Sequence, residues 1–185
     1  MKTIIFTIIF AAAGFLLLNF AGGIFIKEVT QEILIAEPSA AIEAEDVVGK
    51  KAPFWDLPDL NGDRILLTDF VGKPLVLTFW TTWNELSADQ FAILNKLYSE
   101  PGFGKIFNIV AINNQEPKGK VFNFVSRGGY IMPVLLDELG VVGQNYELHQ
   151  TPTTYFIDKN GQIGEVFVGI LDEKSIVDKV EKIIK

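Results

Sequence analysis

The chain opens with a long apolar run and turns polar only after it. Between residues 3 and 26 the run is broken only by Thr3, Thr7, Asn19 and small residues. Crossing a bilayer takes about 20 apolar residues, whereas the apolar part of a cleavable signal peptide measures about 7–15 residues. Because this run is of the longer kind, we predict an uncleaved signal-anchor transmembrane helix over residues 1–26, with a cleaved signal peptide as the alternative.

Charges around this run give a weak indication of its orientation. Lys2 and the amino terminus lie before it, and Lys27 follows it. This small excess of positive charge on the first side favours the amino terminus inside. Residues 27–47 are acidic and include Pro38, which predicts a linker that reaches at most about 70 Å when extended. The domain that follows, residues 48–185, is therefore expected on the extracytoplasmic side, in the periplasm or at the cell exterior.

Short apolar runs alternate with amphipathic segments in this domain. Continuous apolar runs over residues 75–80, 108–112 and 154–157 are typical of strands that are buried on both faces of a sheet. Residues 158–161 form a turn signal, so residues 163–168 are predicted to make a hairpin with the strand before them. Asn61 and Gly62 lie between residues 54–57 and 64–67, which predicts an earlier hairpin with a two-residue turn.

Three amphipathic segments predict helices, at residues 87–98, 118–127 and 172–185. The first is expected to begin with a capping box at Ser87, with Asn84 as the alternative cap. Strands that alternate with helices and end in a hairpin and a helix predict a mixed α/β sandwich.

Composition removes most kinds of chemistry. The 185 residues have a formal net charge of -7, which disfavours nucleic acid as a partner. They include no cysteine, so we expect no disulfide framework, no thiolate nucleophile and no thiolate metal site. His149 is the only histidine, which argues against His-rich zinc or haem sites. We predict neither a metal nor a cofactor.

Three motifs narrow the architecture to a family. The first begins with GKKAPF at residues 49–54, runs through the first hairpin and ends with LTDFVGKP at residues 67–74. The second is FWTTW at residues 79–83, and the third is TPTTYFID at residues 151–158. In this order and spacing they resemble the TlpA/ResA-type proteins of the AhpC/TSA–redoxin branch of the thioredoxin fold. The resemblance extends from about Val48 to the end of the chain. It implies a thioredoxin-like sandwich, with a central mixed sheet flanked by helices and an N-terminal β-hairpin.

The resemblance also locates a site and shows that its chemistry has changed. Members of the family are typically anchored or exported thiol–disulfide reductases, in which a tryptophan is followed by Cys-x-x-Cys at the start of the first core helix. Here Trp83 is followed by Asn84 in the nucleophilic position and Ser87 in the resolving position, and Pro152 takes the place of the family's cis-proline. An amide and a hydroxyl cannot perform thiolate–disulfide exchange. We therefore predict a degenerate site with no intact catalytic residue.

These residues leave several hypotheses open. The first is a redox-inactive module that binds an extracytoplasmic protein or peptide, with Thr151 and Pro152 supplying a strand edge and Trp83, together with Trp80, supplying apolar contacts. A core position is the competing interpretation for Trp80. The second hypothesis is an oxidoreductase system in which a partner supplies the thiols.

Two weaker hypotheses complete the set. A hydrolase would use Ser87 as the nucleophile and His149 as its base, which requires the two side chains to lie within hydrogen-bond reach. A spacer in an envelope complex would leave the degenerate site unused.

Overall fold

The computed structural model describes residues 47–184. The predicted signal-anchor helix, and the linker up to residue 46, lie outside the described residues. Within residues 47–184, no helix is both long and apolar enough to cross a membrane. The described chain begins with Val47, which is already buried in the core.

Seven strands and four α-helices make up the described chain. The strands are β1 (Asp56–Pro58), β2 (Arg64–Leu66), β3 (Leu75–Trp80), β4 (Asn108–Asn114), β5 (Val134–Asp137), β6 (Thr153–Ile157) and β7 (Ile163–Val168). The α-helices are α1 (Glu85–Ser99), α2 (Lys118–Gly128), α3 (Val141–Asn145) and α4 (Glu173–Ile184), and short 3-10 helices lie at Leu67–Phe70 and Phe103–Lys105.

A five-stranded mixed sheet is the centre of the domain. Its strand order is β5-β4-β3-β6-β7, with β3 and β4 parallel, β4 and β5 parallel, and β6 antiparallel to both of its neighbours. Every residue of β3 is buried, as its unbroken apolar sequence predicts for a central strand covered on both faces. The predicted mixed α/β sandwich and the hairpin of β6 and β7 are confirmed.

The two faces of the sheet carry separate hydrophobic clusters. Helices α1, α2 and α4 cover one face, where Val76 and Trp80 of β3 point. On the other face, Leu75, Leu77 and Phe79 pack against α3 and against the N-terminal part of the domain. Successive side chains of β3 point to opposite faces of the sheet, so this strand contributes to both clusters.

One segment of the N-terminal part crosses the second face from edge to edge. We call residues 51–59 the strap. Lys51 forms a bridge with Gln162 just before β7, and Asp59 forms a bridge with Leu135 of β5. Trp55 lies between these two ends and is 1% exposed. The strap therefore covers the sheet from the turn before β7 to β5.

The turn of the first hairpin differs from the prediction. Strands β1 and β2 pair antiparallel, but five residues separate them instead of two. The Asp59 carboxylate accepts hydrogen bonds from the backbone N–H groups of Asn61, Gly62 and Asp63 at 2.7, 2.8 and 2.9 Å. This one side chain satisfies three amides and holds the wider loop, so the predicted two-residue turn was wrong.

Two short elements had no counterpart in the predicted pattern. Strand β5 has four residues and helix α3 has five. A segment of this length is too short to show helical or strand periodicity in the sequence. Helix α2, by contrast, ends where it was expected, with Gly129 in the left-handed conformation at its C-cap.

Candidate functional site at the start of helix α1

The residues singled out by the sequence converge at one end of the sheet. The segment between β3 and α1 carries Trp83 and Asn84, and the segment before β6 carries Thr151 and Pro152, which are joined by a cis peptide bond. Because β3 and β6 are antiparallel neighbours, the end of β3 meets the beginning of β6. The two predicted halves of the site are thus side by side.

Asn84 connects these two halves through its side chain. Its Nδ2 donates a hydrogen bond to the Thr151 carbonyl oxygen at 2.8 Å, and its Oδ1 accepts one from the Ser87 N–H at 3.2 Å. The second bond makes Asn84 the N-cap of α1, so the capping box predicted at Ser87 was wrong and the alternative was right. The residue in the nucleophilic position therefore fastens the start of α1 to the segment before β6.

Ser87 lies inside the first turn of α1 and is completely buried. Its Oγ has no hydrogen-bond partner among residues 47–184. A nucleophile must be reachable by its substrate and activated by a base, whereas His149 lies on the exposed surface. The buried position of Ser87 contradicts the hydrolase hypothesis.

The tryptophans of the FWTTW motif have opposite environments. Trp83 is 68% exposed, whereas Trp80 is 0% exposed. The Trp80 ring packs against Phe91, with 4.2 Å between the ring centroids, and against Phe124 at 5.2 Å. Trp80 points into the α1 side of the sheet because side chains alternate along β3, so it belongs to the core and its predicted apolar contact was wrong.

Leu86 is an exposed residue that the sequence analysis missed. It is 51% exposed in the first turn of α1, three residues after Trp83. The buried positions Ser87, Gln90 and Phe91 define the core face of the helix, and Leu86 lies off that face. The signal was available, because a leucine outside the buried spacing of an amphipathic helix is left on its surface.

The predicted strand edge is only partly open to a partner. Thr151 is partly exposed, and its Oγ1 lies 3.1 Å from Thr81 Oγ1. Pro152 is buried, and its carbonyl oxygen accepts a hydrogen bond from the Gly169 N–H at 2.8 Å. We call the surface formed by Trp83, Leu86 and Thr151 the α1 face, with Pro152 directly behind it.

A buried carboxylate supports this face from below. Glu116 follows β4, and its side chain is 4% exposed. It accepts hydrogen bonds from the Thr82 N–H at 2.6 Å, Thr82 Oγ1 at 2.7 Å and Asn113 Nδ2 at 2.8 Å, and it pairs with Lys120 Nζ at 2.7 Å. We call these four residues the Glu116 network. It fixes the residue immediately before Trp83.

The charge of Glu116 is maintained by its partners. Burial alone would raise the pKa of this carboxyl, but hydrogen bonds from Lys120, Asn113 and Thr82 outweigh it and hold the pKa below the ordinary value for glutamate. Sequence analysis did not single out Glu116. The signal it offered was a Glu and a Lys four residues apart at the start of α2, which predicts an ion pair but not the bonds to Thr82.

No metal centre is evident in the part of the chain that the structure describes. Within residues 47–184, no three His, Asp or Glu side chains are grouped so that they could hold a metal ion.

A mixed sheet in which a cis-proline lies beside the first turn of a helix defines a thioredoxin-like domain. The sequence model of the AhpC/TSA family matches residues 48–166. This range covers more than half of the chain. The chain therefore belongs to the AhpC/TSA family.

Curated relatives extend this result to most of the chain. A protein of Geobacillus thermodenitrificans named thiol-disulfide oxidoreductase ResA is 32% identical over 184 residues, covering 99% of this chain and 94% of that protein. A protein of the same name from Bacillus subtilis is 36% identical over 130 residues, covering 70% of this chain and 72% of that protein. The TlpA/ResA-type resemblance is confirmed.

Solved structures show the same fold. A structure from Chlorobium tepidum assigned as a thiol:disulfide interchange protein DsbE has a TM-score of 0.65 and 26% identity, covering 73% of this chain and 95% of that one. StoA from Bacillus subtilis has a TM-score of 0.61 at 18% identity, covering 69% of this chain and 96% of that one. The second likeness concerns the fold alone.

Proposed function

We propose that this chain is a membrane-anchored, extracytoplasmic thioredoxin-like domain that is redox-inactive by its own residues and binds an extended protein or peptide segment at the α1 face. The observation that carries the proposal is the placement of Asn84. In TlpA/ResA-type proteins this position holds the nucleophile. Here it holds an amide side chain whose Nδ2 is bonded to Thr151 O and whose Oδ1 is bonded to Ser87 N. An amide in this position stabilises structure and offers no thiolate.

The exposed residues around Asn84 support binding. Trp83 and Leu86 are large apolar side chains that remain exposed next to a backbone segment that is not part of a strand. Aromatic residues are enriched where proteins make their strongest contacts. The backbone at Thr151 is suited to pair with an extended segment, as in strand addition, whereas buried Pro152 serves to hold Thr151 in place.

The experiment that tests this proposal is a photo-crosslink from position 83 of the full chain in native membranes. A photoreactive residue at exposed Glu181 of α4 is the control on another surface. We expect one reproducible client from position 83 that is absent from position 181. The client should then bind equally under oxidising and reducing conditions, and Trp83→Ala or Thr151→Pro should abolish its binding. Capture from position 181 alone would contradict the proposal and would favour the spacer hypothesis.

A second candidate function is a role in thiol–disulfide exchange with thiols supplied by a partner. It is favoured by the 32% identity over 184 residues to a protein named thiol-disulfide oxidoreductase. A disulfide-reductase assay on the full chain is expected to give background activity only. The double variant Asn84→Cys/Ser87→Cys is expected to gain activity, because it places one thiol at the N-cap of α1 and one in its first turn. Activity of the unchanged chain above background would overturn the redox-inactive assignment.

The membrane part of the proposal rests on the apolar run at residues 1–26. We expect the full chain to stay in the membrane pellet after extraction at alkaline pH. A protease added outside intact spheroplasts should degrade residues 48–185. Release of the chain by alkaline extraction would contradict the anchor. Protection of residues 48–185 from the protease would contradict the orientation.

A further inference from the structure

We infer that the segment bound at the α1 face carries a lysine or arginine beside a large apolar side chain. The inference rests on the proposed function, because it names the chemistry of the partner at the same face. Three observations lead to it: how Asn84 uses the Thr151 carbonyl, where the apolar side chains lie, and which charges next to them have no counter-ion.

The first observation concerns the backbone. Strand addition draws affinity from main-chain hydrogen bonds, and these are independent of the partner's sequence. At the α1 face the Thr151 carbonyl oxygen already accepts a hydrogen bond from Asn84 Nδ2 at 2.8 Å. A carbonyl oxygen has two lone pairs, so a partner shares this acceptor with Asn84. Main-chain pairing is therefore weakened, and side chains must carry more of the recognition.

The second observation is the apolar part of the surface. Trp83 is 68% exposed and Leu86 is 51% exposed, and both lie at the beginning of α1. Together they offer a partner a place for one large apolar side chain. Burying a side chain of this kind is favourable, which anchors a peptide but does not specify its sequence.

The third observation supplies the specificity. Glu85 and Asp89 lie on α1 on either side of Leu86 in the sequence, four positions apart, and both are exposed. Neither forms an ion pair with any of residues 47–184. On α4, Glu173 is paired with Lys96 and Asp178 with Lys174. The two carboxylates next to the apolar patch therefore lack the local counter-ions that these others have.

Helix stability does not account for both carboxylates. A negative charge at the start of a helix is favourable because of the helix dipole, and this explains Glu85 at the first helical position. The dipole effect falls off within the first turn, so Asp89 gains little from it. Like charges four residues apart on a helix destabilise it. A cation bound between the two carboxylates would remove this repulsion, and it would lie beside Leu86.

The test measures binding of three fluorescein-labelled nonapeptides to the full chain in detergent by fluorescence anisotropy. The peptides share a central Leu-Trp pair, and the flanking residues are lysine, serine or aspartate. We expect the lysine peptide to bind at least tenfold more tightly than the serine peptide and the aspartate peptide to bind most weakly. We expect the advantage of lysine to shrink as NaCl is raised from 50 to 300 mM, since exposed charges are screened by salt.

Two variants separate the inference from the proposed function. The double variant Glu85→Gln/Asp89→Asn should remove the advantage of the lysine peptide and leave the affinity of the serine peptide unchanged. The matched control is the double variant Glu100→Gln/Glu181→Gln, which should leave the affinity of both peptides unchanged. Trp83→Ala should weaken all three peptides. Equal binding of lysine and serine peptides that still depends on Trp83 would overturn the inference and leave the proposed function standing. No binding of any peptide would overturn both.

Discussion

The first turn of α1 and the Glu116 network lie on either side of the same short segment, and their polar groups are bonded very differently. In the first turn, Asn84 is bonded at both ends, whereas the buried Ser87 hydroxyl has no partner among residues 47–184. In the Glu116 network, a nearly inaccessible carboxylate receives hydrogen bonds from three residues. The comparison shows that the position of Trp83 depends on Glu116 and Asn84, and little on Ser87.

The largest effect is expected from removing the carboxylate. Glu116→Ala leaves the Thr82 N–H, the Asn113 amide and the Lys120 ammonium without their acceptor, so we expect a loss of about 3 kcal/mol in the free energy of unfolding. Urea denaturation of the full chain measures it. Glu116→Gln preserves the size of the side chain and is expected to lose less. A loss below about 1 kcal/mol for Glu116→Ala would mean that the network does not hold this segment.

Acid should remove part of the same stabilisation. The pKa of Glu116 is lowered in the folded state, so the unfolded chain binds more protons in acid. The contribution of Glu116 is therefore complete above the unfolded pKa of about 4.3 and is lost as the pH falls through the lower folded pKa. The difference in stability between the wild type and Glu116→Gln should shrink over this range. A constant difference between pH 7 and pH 3 would contradict the assignment.

A smaller effect is expected from Asn84. Asn84→Ala removes both the cap and the bond to Thr151 and should cost about 2 kcal/mol. Asn84→Asp keeps an N-cap acceptor but cannot donate to Thr151 O, and it should cost about 1 kcal/mol. Thermal and urea unfolding separate the two contributions. Wild-type stability of Asn84→Asp would show that the bond to Thr151 contributes nothing.

The smallest effect is expected from Ser87. Ser87→Ala deletes a buried hydroxyl that has no partner among the described residues, so we expect stability to change by no more than about 0.5 kcal/mol. Thr78 is the matched control, because its buried Oγ1 lies 3.1 Å from Thr154 Oγ1. Thr78→Val should cost about 1–2 kcal/mol by leaving Thr154 unpaired. A large loss for Ser87→Ala would show that this hydroxyl has a structural role.

Sequence reasoning succeeded where a local pattern determines the structure. The apolar run of β3 and the turn before β7 led to the right strands, and the TPTTYFID motif placed Pro152 beside the start of α1. Reasoning failed where a side chain reaches across the fold. The Asp59 carboxylate widened the first turn, and the three partners of Glu116 come from three separate parts of the chain. The exposure of Trp83 and the burial of Trp80 follow from their places relative to the end of β3, which the motif alone does not reveal.

The strap has a mechanical consequence. Its first residue, Lys51, contacts Asn160, which is 109 residues further along the chain, and next to it Gly49 and Lys50 exchange hydrogen bonds with Ile163 of β7 at 2.7 and 2.9 Å. The earliest part of the domain is thus fixed by its last strands, and such long-range closure slows folding. A force applied at Val47 would be borne first by the two bonds to Ile163. Once they broke, the Lys51–Gln162 bridge and the Ala52 N–H bond to the Gly161 carbonyl oxygen at 2.9 Å would have to break next, before Trp55 was exposed.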